Sequence, residues 1–100
     1  MLCALTVRKL KPGAMEEFKR AFVPADDADV PAGWKRFYAI RNVADENEVI
    51  TFGFFDGTLE ELRQGQQGSD YDERRQAADE FVESVGTDGV FEVLEERSMG

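Results

Sequence analysis

Histidine is absent from this 100-residue chain. That excludes Ser-His and Cys-His catalysis, His-ligated haem and the common zinc sites. Proton transfer is left to Asp, Glu, Lys, Tyr, water polarised by Arg, or a cofactor. Cysteine is limited to Cys3, so no intrachain disulfide forms. In an apolar strand, Cys3 reads as a small buried hydrophobe rather than a nucleophile. No apolar run approaches the roughly 20 residues needed to cross a bilayer. The start is apolar first (Met1 to Val7) and basic second (Arg8, Lys9, Lys11), the reverse of a signal peptide, so a cytoplasmic location is expected. Basic residues are scarce, 12 against 21 acidic, for a net charge of -9. This repels phosphate backbones and anionic lipid, so neither nucleic acid nor membrane is an expected partner.

What is present suits one globular domain spanning 1-100, with 42% apolar and 33% charged residues. "LCALTVRKL" (2–10) is extended in character, with apolar residues on both parities until Arg8. Pro12-Gly13 breaks it. Ala14, Met15, Phe18, Ala21 and Phe22 then recur at helical spacing, with Glu16-Glu17 early and Lys19-Arg20 late, which suits the helix dipole. Pro24 is expected to end this helix. "ADDADVPAG" (25–33) reads as an acidic connection. Its Asp26, Asp27 and Asp29 lack the Gly and Glu of a calcium loop, so no metal is expected there.

"WKRFYAIRNV" (34–43) and "VITFGFFD" (49–56) predict an antiparallel hairpin about a polar turn. Strict alternation puts Trp34, Arg36, Tyr38, Ile40 and Asn42 on one face. Thr58 is placed to cap a helix with Glu60 and Glu61 in its first turn. "RQGQQGSD" interrupts it. A second stretch, from Ser69 or Asp70 to about Val85, carries Tyr71, Ala78, Phe81, Val82 and Val85 on a stripe broken by Arg75. "GTDG" is expected to end that helix, and "VFEVLEERS" (90–98) to form the last strand.

The order β-α-β-β-α-β is the ferredoxin-like α+β arrangement, a four-stranded antiparallel sheet with helices on one face. "ITFGFFDG" (50–57) has part of the aromatic pattern by which RNA-recognition motifs stack bases. It lacks the basic residue, the first Gly and the last aromatic. Apolar residues on both parities instead suggest a strand covered on both faces. The second sheet face is apolar on nearly every strand, which predicts a protein partner or an enclosed pocket.

"KPGAMEEF" resembles the opening Lys-x-Gly-x-x-x-x-Phe pattern of antibiotic biosynthesis monooxygenase-like domains, in the dimeric α/β-barrel superfamily. "GWKRFYAIRNVADENEVITFGFFDGTLEEL" resembles their central stretch. The resemblance implies a homodimer whose two sheets pack face to face as an α/β barrel. It also implies an oxygenase without cofactors, metal or haem, acting on a small aromatic or polyketide-like ligand. Such oxygenases commonly carry a Trp at the end of the third strand and an Asn four residues earlier. The matching positions here are Phe55 and Thr51. Phe keeps an aromatic wall without the indole N–H, and Thr presents no amide. The haem-degrading branch uses a His on its second helix, which this chain lacks.

Two readings stand for each candidate. Thr51 and Phe55 line a pocket between sheet and helices, with Gly53 leaving room, or they are ordinary core. Arg36 between Trp34 and Tyr38 clamps a phenolate or carboxylate, or the three form an interface cluster. Tyr71 and Arg75, one helical turn apart, reach into a pocket, or Arg75 snorkels to solvent. The adjacent pairs Glu16-Glu17, Glu60-Glu61 and Glu95-Glu96 do not converge on one face, so paired-carboxylate catalysis is not expected. The alternative to an enzyme is a non-catalytic ligand-binding or structural homodimer that keeps the fold.

Overall fold

A computed structural model describes residues 1–23, 32–67 and 71–99. The elements are β1 (Leu2–Leu10), α1 (Met15–Phe22), β2 (Trp34–Asn42), β3 (Asp45–Phe55), α2 (Leu59–Gln67), α3 (Tyr71–Asp79) and β4 (Val82–Glu92). The expectations for Pro24, for the acidic cluster Asp26, Asp27 and Asp29, and for a helix start at Ser69 or Asp70 lie outside the described residues.

The sheet is antiparallel in the order β2-β3-β1-β4, the ferredoxin-like arrangement. Its central pair β1–β3 sets Thr6 opposite Thr51 and Arg8 opposite Val49. One face is covered by helices. Leu10, Val49, Phe18, Phe22 and Ala78 form the buried core there, with Met15, Tyr71, Phe81 and Val82 packed around it. α1 reaches the sheet because its apolar residues recur three and four apart, and Phe18 and Phe22 stack at 5.4 Å between ring centroids. α2 starts on a reciprocal cap. The Glu61 N–H donates to Thr58 Oγ1 (3.1 Å), and the Thr58 N–H donates to Glu61 Oε1 (3.0 Å).

The structure corrects the sequence reading in four places. The first of the two expected helical stretches is not interrupted at residue 63 but runs on to Gln67, with Gly65 inside α2 rather than breaking it. α3 stops at Asp79, not Val85, where the Phe81 N–H closes back on the Ala78 carbonyl. Residues 82–85 instead open β4, and "GTDG" lies within that strand rather than ending a helix. Their pairing with β1 outweighs local helical spacing, and irregular register opposite Thr6–Arg8 and Lys9–Leu10 lets the long strand keep its partners. Residues 93–98, expected as strand, are outside it.

The fourth correction concerns β2. Trp34 pairs with Phe55 and Arg36 with Phe54, so an extra residue at Lys35 flips the parity. Trp34 therefore lies on the helix-covered face, edge-on to Phe55 at 5.3 Å, while Arg36 and Tyr38 lie on the opposite face.

That opposite face is open. Tyr38 stacks on Phe52 at 5.1 Å, and Phe52 meets Phe54 edge-on at 5.9 Å. Ile40 and Phe91 are exposed, and Leu5, Val7, Ile50, Phe52 and Phe54 are half-buried. The doubly apolar strands are thus covered on one side only within a single chain.

Candidate functional site

The polar groups of interest sit in the middle of the helix-covered face. β1 alternates Thr6, Arg8 and Leu10 toward the helices, and all three are buried. Arg8 is 1% exposed. Its Nη1 donates to Thr51 Oγ1 at 2.7 Å. Its guanidinium carbon lies 4.6 Å from the Phe22 ring centroid and 5.5 Å from that of Phe18. Both rings present their negative faces to the cation. Arg8 Nη2 is buried without a hydrogen-bond partner among the described residues.

A second layer comes from β4 and α3. Asp88 stands opposite Thr6, whose hydroxyl donates to Asp88 Oδ1 at 2.9 Å. Arg75 Nη2 donates to Asp88 Oδ2 at 2.6 Å. Burial pushes the Asp88 carboxyl up, but the bonds from Arg75 and Thr6 outweigh it and hold the group below the ordinary aspartate range. Arg75 is driven up, chiefly by its bond to Asp88. Arg8 is driven down, first by burial and next by the like charge of Arg75, with Tyr71, Asp88 and Asp79 acting in the opposite sense. Tyr71 meets the Phe22 ring edge-on at 6.2 Å.

The structure therefore gathers three of the sequence candidates, Thr51, Tyr71 and Arg75, around Arg8, Phe22 and Asp88. Phe55 and Trp34 share that face but form a separate aromatic pair toward the far end of β3. The space beside Gly53, expected to be room for a ligand, holds the Trp34 ring; a Cβ at Gly53 would lie 2.9 Å from Trp34 Cζ3. Phe55 is equally enclosed, with its ring against the Cα positions of Gly33 and Gly57. Arg36 and Tyr38 are not part of the cluster. They touch each other at 3.3 Å on the open face.

Sequence reading missed Arg8, Thr6 and Asp88. For Arg8 a signal existed: Leu10 returns the parity of Leu2, Ala4 and Thr6 to apolar beyond it, which marks an arginine enclosed by inward-facing positions. For Asp88 none did, because "GTDG" is turn-like in composition and only pairing with β1 makes it strand.

Chemically, the cluster offers one buried cation with a free donor, a hydroxyl from β1 (Thr6) and one from β3 (Thr51), aromatic walls, and a second cation neutralised by a carboxylate. Among the described residues there is no group of three or more Cys, Asp or Glu arranged to hold a metal ion. No helix there is long and apolar enough to cross a membrane.

No family model and no curated protein sequence matches the chain. Solved structures do. A provisionally named antibiotic biosynthesis monooxygenase from Deinococcus radiodurans superposes with a TM-score of 0.78 at 10% identity, covering 100% of this chain and 99% of that one. Another from Nitrosomonas europaea gives 0.77 at 14% identity, over 95% of this chain and 100% of that one. A mutant of SnoaB, a cofactor-independent oxygenase from Streptomyces nogalater, gives 0.75 at 14% identity, over 95% and 94%. The chain has an antibiotic biosynthesis monooxygenase-like fold, a ferredoxin-like α+β arrangement.

Proposed function

We propose that this chain holds a small aromatic or polyketide-like molecule between the sheet and helices α1 and α3, and oxygenates it without metal or haem. The observation that carries this is the buried Arg8, bonded to Thr51 and set under the Phe18 and Phe22 rings on the helix-covered face. A core built only for stability has little use for a buried, half-paired cation there. The likeness to SnoaB supports the reaction class by analogy of fold.

In this reading the deprotonated substrate is itself the reductant. It passes an electron to dioxygen inside a dry chamber. One oxygen atom then replaces two hydrogens of an activated methylene as a ketone, and the other leaves with them as water. The protein supplies orientation, exclusion of water, and a guanidinium that stabilises the substrate anion. Arg8 takes the role for which sequence reading offered Arg36 or Arg75. Arg36 is on the wrong face, and Arg75 is held by Asp88.

We further propose that the open sheet face is covered by a second copy of this chain. Tyr38, Phe52 and Phe54 form a continuous aromatic patch there, bordered by Ile40, Ile50 and Phe91. A second reading keeps this homodimer and drops the chemistry. It is favoured by Trp34, which fills the space over Gly53 that a bulky substrate would use.

The test is oxygen uptake with hydroxyanthrones, which combine a polycyclic phenol with an activated methylene. The expected result is protein-dependent uptake with one atom of labelled dioxygen in each ketone formed. Uptake no faster than in buffer, with no label in the ketone, would leave the non-catalytic homodimer.

A further inference from the structure

We propose that residues 93–99 of each copy cross to the other copy in the homodimer and lie along the outer edge of its β2, with Leu94 on its aromatic patch and Glu96 against the partner's Arg36. The inference rests on the homodimer proposed above, and names the segment and the charge pair that tie the two copies together.

Residues 93–99 follow β4 but lie outside the sheet of their own chain. Their first residue is tied down, the Val93 N–H donating to the Met1 carbonyl at 3.0 Å. Beyond it Leu94 is 88% exposed and Met99 92%. Such apolar side chains gain by burial on another surface. The β2 strand offers one. It is an edge strand exposed from Lys35 to Asn42, with no strand on its outer side among the described residues. From Arg36 to Arg41 its register is unbroken. It carries Lys35, Arg36 and Arg41 and no acidic residue, in a chain with 21 acidic against 12 basic. The tail brings the opposite charge. Arg97 pairs with Glu95, which leaves Glu96 to act on Arg36. Arg36 is driven up first by its bond to Tyr38 and in smaller part by the charge of Glu96.

Geometry favours the other copy over the chain's own β2. Trp34, Phe55, Leu2 and Glu92 form one row across the sheet, so the tail starts at the end where β2 begins but at the opposite edge. Three strand spacings, about 14 Å, separate them. Leu94 lies in water, so the tail is not laid down across that distance on its own sheet. Pairing the open faces about a two-fold axis along the strands interchanges the two edges. It sets β4 of one copy over β2 of the other, at the spacing of packed sheets, about 10 Å. Seven extended residues reach about 23 Å. They cross the gap with about four residues left to pair along the edge.

The test reads the dimer dissociation constant of the full chain by sedimentation at low salt, where a charge pair is least screened. Arg36→Glu and Glu96→Lys each turn an attraction into a repulsion, twice per dimer by symmetry. Each alone is expected to weaken the dimer by about 10-fold or more. An equimolar mixture of the two variants should then recover dimers of near wild-type affinity, because each tail in the mixed dimer meets an edge of opposite charge. No such repair is open to a tail held within one chain. Leu94→Gln, harmless to a single chain that leaves the side chain in water, should also weaken the dimer by about 10-fold.

Unchanged affinity in the variants, or two weakened variants that stay apart on mixing, would overturn the proposal. The homodimer reading fails separately. A wild-type chain that sediments as a monomer removes both. A wild-type dimer indifferent to Arg36→Glu and Glu96→Lys keeps the homodimer and removes the crossed tail.

Discussion

A buried cation kept for ligand binding has a measurable consequence in the ligand-free protein. Replacing the cation should cost less than removing its one neutral partner. Thr51 is 4% exposed, and its hydroxyl is the acceptor for Arg8 Nη1 at 2.7 Å. Thr51→Val deletes that acceptor and leaves the guanidinium with both terminal nitrogens unsatisfied. The expected cost is about 1–3 kcal/mol. For a chain of about 100 residues each kcal/mol moves the melting temperature by about 4–8 °C, so Thr51→Val should melt several degrees to roughly 20 °C lower.

Arg8→Met acts in the other direction. It removes the desolvated charge, a change that is often neutral or stabilising by about 1–4 kcal/mol where the volume is kept. It also strands one Thr51 hydroxyl and loses two cation–π contacts, which sulfur–aromatic contacts to Phe18 and Phe22 partly replace. Arg8→Met should therefore melt close to the wild type or above it. The double variant should recover most of what Thr51→Val loses. The assay is thermal and urea unfolding followed by circular dichroism. One protein concentration is kept throughout, because a dimer's apparent stability depends on it. The reasoning is refuted if Arg8→Met is less stable than Thr51→Val, or if the double variant is no better than Thr51→Val. Either result would make Arg8 a net structural group held by its rings.

Two further outcomes are expected. Phe52→Glu places a charge in the centre of the aromatic patch on the open face. Sedimentation should show a dimer in the wild type and a monomer in the variant, with the helical spectrum unchanged; a wild-type monomer would remove the dimer proposal. Asp88 has its carboxyl held below the ordinary 3.8. A carboxyl depressed on folding stabilises above its unfolded value and loses that contribution as pH falls through the folded value. The stability gap between wild type and Asp88→Asn should thus be widest near neutrality and close below about pH 4. A gap independent of pH would mean that the Asp88 bonds to Arg75 and Thr6 carry no net charge-dependent stability.

Much of the framework was legible without coordinates, because it rests on local periodicity. Cys3, Leu5 and Val7 alternate against Leu2, Ala4 and Thr6, which requires a strand. Met15, Phe18 and Phe22 recur at helical spacing, which requires an amphipathic helix. Thr58 with Glu61 three residues later carries its own cap. The family resemblance suggested a pocket beside Thr51 and Phe55; in the fold both residues are buried on the helix-covered face, with the Trp34 ring against Phe55 and over Gly53.

Tertiary structure decided what periodicity does not encode. The extra residue at Lys35 separates Trp34 from Arg36 and Tyr38, because the register against Phe54 and Phe55 is set by the partner strand. Residues 82–85 suit a helix by spacing, and they form strand because β1 offers them hydrogen bonds. Arg8 and Lys9 are adjacent basic residues, and the parity that Arg8 shares with Thr6 and Leu10 points it inward without saying what encloses it. Arg8 is enclosed because Thr51, 43 positions away, and Phe18 and Phe22 close over it. Lys9, on the other face, reaches Asp45 at the start of β3 instead. Burial of a charge depends on groups remote in sequence, and only the folded chain brings those groups to it.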